Sequence, residues 1–120
     1  MGTLVTDLTN FQSKDFNVTK AKISWIKKNE IGKALDFSKS KYEKSNNIYH
    51  HVGIYSFRYE TLKKFVSLKP SKNELNQKLE QLRALDANMT IGVSYIKNAP
   101  ISVDTKEDLI HVENIIDHTL

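Results

Sequence analysis

Leu79-Glu80-Gln81-Leu82-Arg83-Ala84-Leu85 is helical in pattern and stands between two strand-like runs, and that placement decides the fold class of this 120-residue chain. Ser71 followed by Glu74 forms a capping box, because the serine hydroxyl can accept from the exposed N3 amide while the glutamate reaches back to the cap. The box opens a predicted helix of roughly 16 residues with Leu75, Leu79, Leu82 and Leu85 as its apolar stripe. Upstream, Tyr49 to Phe57 reads as a continuously apolar strand, and Gly53 within it suggests close approach of another backbone or a ligand. Tyr59, Leu62, Phe65 and Val66 then recur at helical spacing before Pro70. Downstream, Thr90 to Ile96 alternates with Ile91, Val93 and Tyr95 on one face. A short strand Ile101 to Val103 runs into a Thr105/Asp108 cap for a last helix carrying Leu109, Val112 and Ile116.

The first 47 residues are strand-rich. Thr3 to Leu8 reads as a strand and Thr9 to Asn17 as a polar loop. From Lys20 the pattern alternates, with Ala21, Ile23 and Trp25 on one side and Lys20, Lys22 and Ser24 on the other, a half-buried strand. A turn over Lys28-Asn29-Glu30-Ile31-Gly32 leads to a second run with Leu35 and Phe37, which completes a hairpin. Ser38 to Asn47 is a surface loop. Strands interleaved with helices in this order, without an internal repeat, make an α/β domain with a sheet of mixed direction.

Composition narrows the function. Charged residues make up 27% and hydrophobic ones 39%, which disfavours disorder, and no apolar run approaches the roughly 20 residues of a bilayer-spanning helix. There is no cysteine, and the first residues have neither a basic n-region nor an apolar h-region, so a cytoplasmic location is expected with no membrane partner. The net charge of +4 falls entirely in residues 1–50. Yet 16 of the 18 basic residues are scattered lysines, without the arginines or interleaved aromatics of nucleic-acid surfaces, so no nucleic-acid partner is expected. Neither a Walker motif nor a Gly-x-Gly-x-x-Gly fingerprint occurs.

Individual residues leave alternatives open. Asp104 ends a predicted strand and starts a helix, so its ordinary role is capping; with Thr105 able to cap, it is also free to bind Mg²⁺ where α/β folds place ligands. His50 and His51 are neighbours on a strand, point to opposite faces and cannot share one metal. His51 and Tyr55 share a face with Gly53 between them, which permits either a packed pair or a sugar-sized notch. Glu80 and Gln81 lie roughly 155° and 105° from the leucine stripe, so periodicity makes both solvated. His111 and His118 read as surface residues.

Four segments together carry a family resemblance: His51-Val52-Gly53-Ile54-Tyr55-Ser56-Phe57-Arg58, Phe65-Val66-Ser67-Leu68-Lys69-Pro70-Ser71, Leu79 to Leu85, and Ile101-Ser102-Val103-Asp104-Thr105-Lys106-Glu107-Asp108-Leu109. In this order they resemble the C-terminal half of the 3-deoxy-manno-octulosonate (Kdo) cytidylyltransferases, closely over residues 48–110 and loosely over 1–47. Gly32 to Lys39 looks like the family's segment before its small-domain loop.

The resemblance implies the C-terminal half of a nucleotide-diphospho-sugar-transferase-like, Rossmann-like α/β fold, with a mixed sheet and a small dimerisation hairpin at about residues 18–47. Residues 1–120 then form a single partial domain. It further implies nucleotidyl transfer from CTP to Kdo, yielding CMP-Kdo and pyrophosphate for lipopolysaccharide synthesis with Mg²⁺ as cofactor. His51, Tyr55, Glu80, Gln81 and Lys39 would bind the sugar acid, Asp104 would bind the metal, and no side chain would act as a nucleophile. The implied partners are Kdo, CTP, a second copy of the chain, and a separate N-terminal half. That half carries the family's arginine- and lysine-bearing phosphate loop and a second metal-binding aspartate, both of which this chain lacks. Ser38-Lys39-Ser40-Lys41-Tyr42-Glu43 replaces an arginine and a short Ile-Pro segment. Lys39 can supply charge there but not a bidentate fork. Activity of the chain alone is therefore not expected, and a noncatalytic dimerisation module or a truncated remnant is the alternative.

Overall fold

Five strands curl into a closed sheet in a computed structural model that describes residues 1–40 and 46–119. They are β1 (Gly2–Thr6), β2 (Lys20–Lys27), β3 (Ile31–Ser38), β4 (Ile48–Ser56) and β5 (Gly92–Tyr95), ordered β1-β4-β2-β3-β5. The sheet is mixed as expected: β1 and β5 run parallel, and the other four pairings are antiparallel. Closure shortens the free sheet edges to segments where a strand outruns its partner, as β2 does beyond its pairing with β4 at Lys20 to Lys22, and such segments are what invite pairing with another chain. The helices are α1 (Asn10–Ser13), α2 (Tyr59–Ser67), α3 (Lys72–Gln77), α4 (Leu82–Asp86) and α5 (Lys106–Thr119). The core joins Val5, Ala21, Ile23, Phe37, Ile91 and Val93 of the sheet side to Phe65, Leu79, Leu82 and Ala84 of the helical side.

Several expectations are corrected. The loop over Thr9 to Asn17 contains α1, capped by a Thr9/Gln12 box. The same residues that read as polar loop thus satisfy a helix start. Leu35 and Phe37 do not share a face: a register shift in the β2/β3 ladder places an extra residue between Asp36 and Ala34, so Phe37 is buried and Leu35 is exposed. Lys20, assigned to the solvent side, is 0% exposed. Its Nζ donates to the Asp15 carbonyl at 2.5 Å and the Lys39 carbonyl at 3.0 Å, which turns the lysine into a tie between two chain segments. Among the described residues nothing lies within 4 Å of where a Gly53 Cβ would stand, so none of their backbone approaches it. Ile101 to Val103 is exposed and forms no strand. The loop reading over Ser38 to Asn47 falls partly on residues 41–45, outside the described residues.

The largest change concerns the predicted 16-residue helix, which is two helices. The Ser71/Glu74 box caps α3 as expected. At Lys78 the backbone enters the left-handed region (φ 57°), and the chain turns before α4 begins at Leu82. No glycine marks the break, and glycine is what usually signals it. A straight helix would put Leu75 beside Leu79, but Leu75 is exposed whereas Leu79 and Leu82 are buried. The break turns those two leucines into the core, each worth about 1.5–3 kcal/mol of burial, against about 1–2 kcal/mol for a non-glycine left-handed residue. Burial wins. The last helix, α5, keeps its Thr105/Asp108 box but buries none of its described side chains. No helix among the described residues is long and apolar enough to cross a membrane.

Candidate functional site

His51 and Tyr55 lie on β4, where ideal strand geometry would separate side chains four residues apart by about 13 Å. Their rings are instead 5.6 Å apart. The cause is a register shift opposite Thr3 and Leu4: Thr3 pairs with Tyr55 while Leu4 pairs with Val52, so two extra residues of β4 bulge outward. The bulge draws the rings together, and the notch expected between them is filled by the rings themselves. A cleft of about 380 Å³ lies to one side, walled by residues that include Thr3, Ile54, Tyr55 and Ser94 but not His51, Glu80 or Gln81.

His51 is 8% exposed and packs edge-on against Phe37, with ring centroids 4.9 Å apart. Burial first, and the neighbouring His50 second, push its pKa down to about 4. It is therefore neutral at pH 7 and supplies no charge for an acid. Its Nε2 lies 2.9 Å from the Thr3 hydroxyl, which donates to the Ile54 carbonyl at 2.8 Å. A hydroxyl has one proton, so with that proton on Ile54 the imidazole Nε2–H donates to Thr3 and Nδ1 is the lone-pair nitrogen. On the opposite face, His50 is half-buried, and its pKa is lowered by burial and then by Lys20.

Tyr55 connects the sheet to the helices. Burial, and then the charge of Glu80, push its phenol up to about 12, so it is a neutral hydroxyl across the physiological range. Glu80 and Gln81 occupy the turn between α3 and α4. The Glu80 side chain is 72% exposed, as periodicity indicates. Gln81 is only 5% exposed, which overturns its expected solvation. The break at Lys78 resets the helical phase, so the angle computed on a continuous helix does not apply. No side-chain hydrogen bond joins Gln81 to another described residue.

The structure thus brings the His51 and Tyr55 rings together and sets Glu80 where its charge acts on the Tyr55 phenol, while Gln81 is buried next to Glu80 in the chain. Lys39 is partly buried at the end of β3, where its carbonyl accepts from Lys20. Asp104 stands apart. It follows no strand, is exposed, and accepts from the Ser102 hydroxyl at 2.8 Å, while its own amide donates to Asp108 at 3.1 Å. Asp108 is the capping carboxylate, with a pKa lowered by the amides of Asp104 and Thr105. Among the described residues no group of three or more His, Asp and Glu could hold a metal. One exposed carboxylate still suits Mg²⁺, which commonly takes one or two protein carboxylates and completes its shell with water and phosphate.

Sequence reasoning missed Thr3, Lys20 and Arg83. Arg83 forks onto Glu74, Nε to Oε2 at 2.9 Å and Nη2 to Oε1 at 2.7 Å, and its Cζ lies 4.9 Å from the centre of the Phe65 ring. Nine residues separate the pair, so no helical i+4 rule reveals it. The guanidinium holds the Glu74 carboxyl below its usual range. Arg83 being so engaged, Arg58 is the remaining arginine in the chain.

With this geometry stand the likenesses to known proteins. The sequence profile of the cytidylyltransferase family matches residues 5–91, and the chain belongs to that family. Its curated relatives are more particular: 3-deoxy-manno-octulosonate cytidylyltransferases from Bartonella tribocorum (42% identical over 106 residues), Bartonella quintana (55% over 69) and Rickettsia akari (53% over 79). These alignments cover 88%, 58% and 65% of this chain but 43%, 28% and 32% of the respective relatives. A solved CMP:2-keto-3-deoxy-manno-octonic acid synthetase, complexed with CTP, superposes with a TM-score of 0.83 at 26% identity, over 99% of this chain and 49% of that one. The chain therefore spans half or less of the length of these relatives.

Proposed function

We propose that this chain is the sugar-acid-binding part of a 3-deoxy-manno-octulosonate cytidylyltransferase, a nucleotidyltransferase that makes CMP-Kdo for lipopolysaccharide in the cytoplasm. The observation that carries the reading is the pairing of the His51 and Tyr55 rings on β4 with Glu80 of the α3/α4 turn acting on the Tyr55 phenol and Gln81 buried next to it in the chain. Together they offer what a polyhydroxylated sugar requires: a phenol, a neutral imidazole, an amide and a carboxylate in fixed positions. Because His51 and Tyr55 are neutral, the cation for the sugar's own carboxylate has to come from another residue, and Lys39 is the one that the family resemblance offers.

In the reaction, the anomeric hydroxyl of Kdo attacks the α-phosphorus of CTP, and pyrophosphate departs. Mg²⁺ held by Asp104 would neutralise phosphate charge. The residues of this chain bind and orient the sugar, which is where such a transfer draws its rate, since positioning can account for ~7–11 kcal/mol of a barrier. The triphosphate needs a cradle from elsewhere, because Arg83 is bound to Glu74 and no phosphate loop occurs in this sequence. The N-terminal half of the family's domain is the part that would supply it. A second copy of the chain is the partner for the hairpin, where Ile26, Ile31 and Leu35 are exposed.

Titration of the isolated chain with Kdo, followed by amide resonances of residues 51–55 and 79–83, tests the reading. Binding about millimolar or weaker is expected with the cleft open to water, and the shifts should vanish in His51→Ala. Shifts that are absent, or spread evenly over the chain at high Kdo, refute it.

A further inference from the structure

We propose that Arg83 is a positioning residue for the sugar-acid site: anchored on Glu74 and Phe65, it fixes the turn that presents Glu80 toward Tyr55 and directs Gln81 inward. This rests on the site described under the proposed function. Burial of Leu79 and Leu82 seats the two ends of the turn in the core, but Glu80 and Gln81 between them have no other side-chain anchor among the described residues. The turn follows the left-handed Lys78, joins two helices of six and five residues, and opens α4 at Gln81 without a side-chain cap. Helices so short have no stability of their own.

Arg83 spans the turn in three directions. Its fork reaches back to Glu74 on α3. Its Nη2 also lies 3.9 Å from Glu80 Oε1, and its plane lies over Phe65 of α2. Glu74 is itself pinned, because Oε2 also accepts the Ser71 amide at 3.0 Å and its carbonyl accepts the Lys78 amide at 2.7 Å. Phe65 continues through Phe57 (5.6 Å) to Tyr55 (6.5 Å) and so to His51, which makes a ladder of rings from Arg83 to the sheet residues of the site. The ladder of rings from Arg83 thus reaches Tyr55, the phenol on which the Glu80 charge also acts. A partly buried ion pair adds little net stability over a packed apolar pair, so geometry is the stronger reason for placing one here. With its fork occupied by Glu74, the guanidinium orients other groups and leaves the ligand to them.

Arg83→Lys keeps the charge and loses the fork. With ¹³C-labelled tyrosine and ¹⁵N-labelled protein, three changes are expected. The titration midpoint of the Tyr55 phenol moves down from about 12 as the Glu80 charge departs. The Gln81 side-chain amide exchanges faster, and Kdo affinity falls about tenfold to a hundredfold, as expected for a displacement on the order of 1 Å. The amides of Phe37 and His51 keep their positions. A lower melting temperature with the Tyr55 midpoint, Gln81 exchange and Kdo affinity unchanged would overturn the proposal and leave Arg83 a purely structural tie. If Arg83→Lys does not fold, Glu74→Gln removes the anchor's charge while keeping its shape, and the same readouts decide. If the unaltered chain binds no Kdo, the sugar reading fails by itself, and the Tyr55 and Gln81 responses still judge Arg83.

Discussion

Acidification should unfold this protein through His51. The imidazole titrates near 4 in the folded chain against 6.5 for the free side chain, because burial and His50 disfavour its charged form. The folded state thus resists a proton that the unfolded state accepts. The associated stability is fully present above pH 6.5 and is lost as the pH falls toward 4, at about 1.4 kcal/mol per pH unit, roughly 3 kcal/mol in all. That is a large share of the 5–15 kcal/mol typical of a domain. Glu74 and Asp108, whose pKa values are lowered, add acid sensitivity only below the ordinary carboxylate range, so the interval from about 4.5 to 6.5 belongs to histidine. Urea melts of the unaltered chain and of His51→Gln across that interval give the test. Gln can still donate to the Thr3 hydroxyl, and His50, also lowered, contributes equally to both proteins. The unaltered chain should lose about 2 kcal/mol more than the variant over that interval. Parallel curves would refute the burial argument.

Gly32→Ala places a Cβ 2.5 Å from the Ser24 carbonyl and 2.9 Å from Trp25 Cε3, so thermal melts should show a loss of about 2 kcal/mol or more, whereas Gly53→Ala meets nothing within 4 Å and should change stability by less than about 0.5 kcal/mol. Equal effects would mean that the β2/β3 contact is loose. Lys20→Met strips the donor from the Asp15 and Lys39 carbonyls and should cost about 1–3 kcal/mol in urea melts, with amide shifts at both segments; unchanged stability would mean that water replaces the ammonium.

The sequence by itself determined the elements whose signals are local. The capping boxes at Ser71/Glu74 and Thr105/Asp108 stand where they were expected, as do the alternating strands around Ala21, Ile23 and Val93, because each depends on neighbours within four residues. Sheet strands interleaved with helices gave the mixed α/β class, and the four quoted segments indicated the family, because a specific order of short motifs survives without any three-dimensional information. Tertiary structure alone decided what depended on distant residues. The core demand for Leu79 and Leu82 broke one helix at Lys78 and carried Gln81 inward, which a helical wheel cannot foresee because it assumes a constant phase. The bulge against Thr3 brought the His51 and Tyr55 rings together, since strand register is set by the partner strand. Lys20 is buried for the same reason: the alternation of β2 records which residues are polar, but the Asp15 and Lys39 carbonyls that satisfy its ammonium belong to segments that only folding brings within reach.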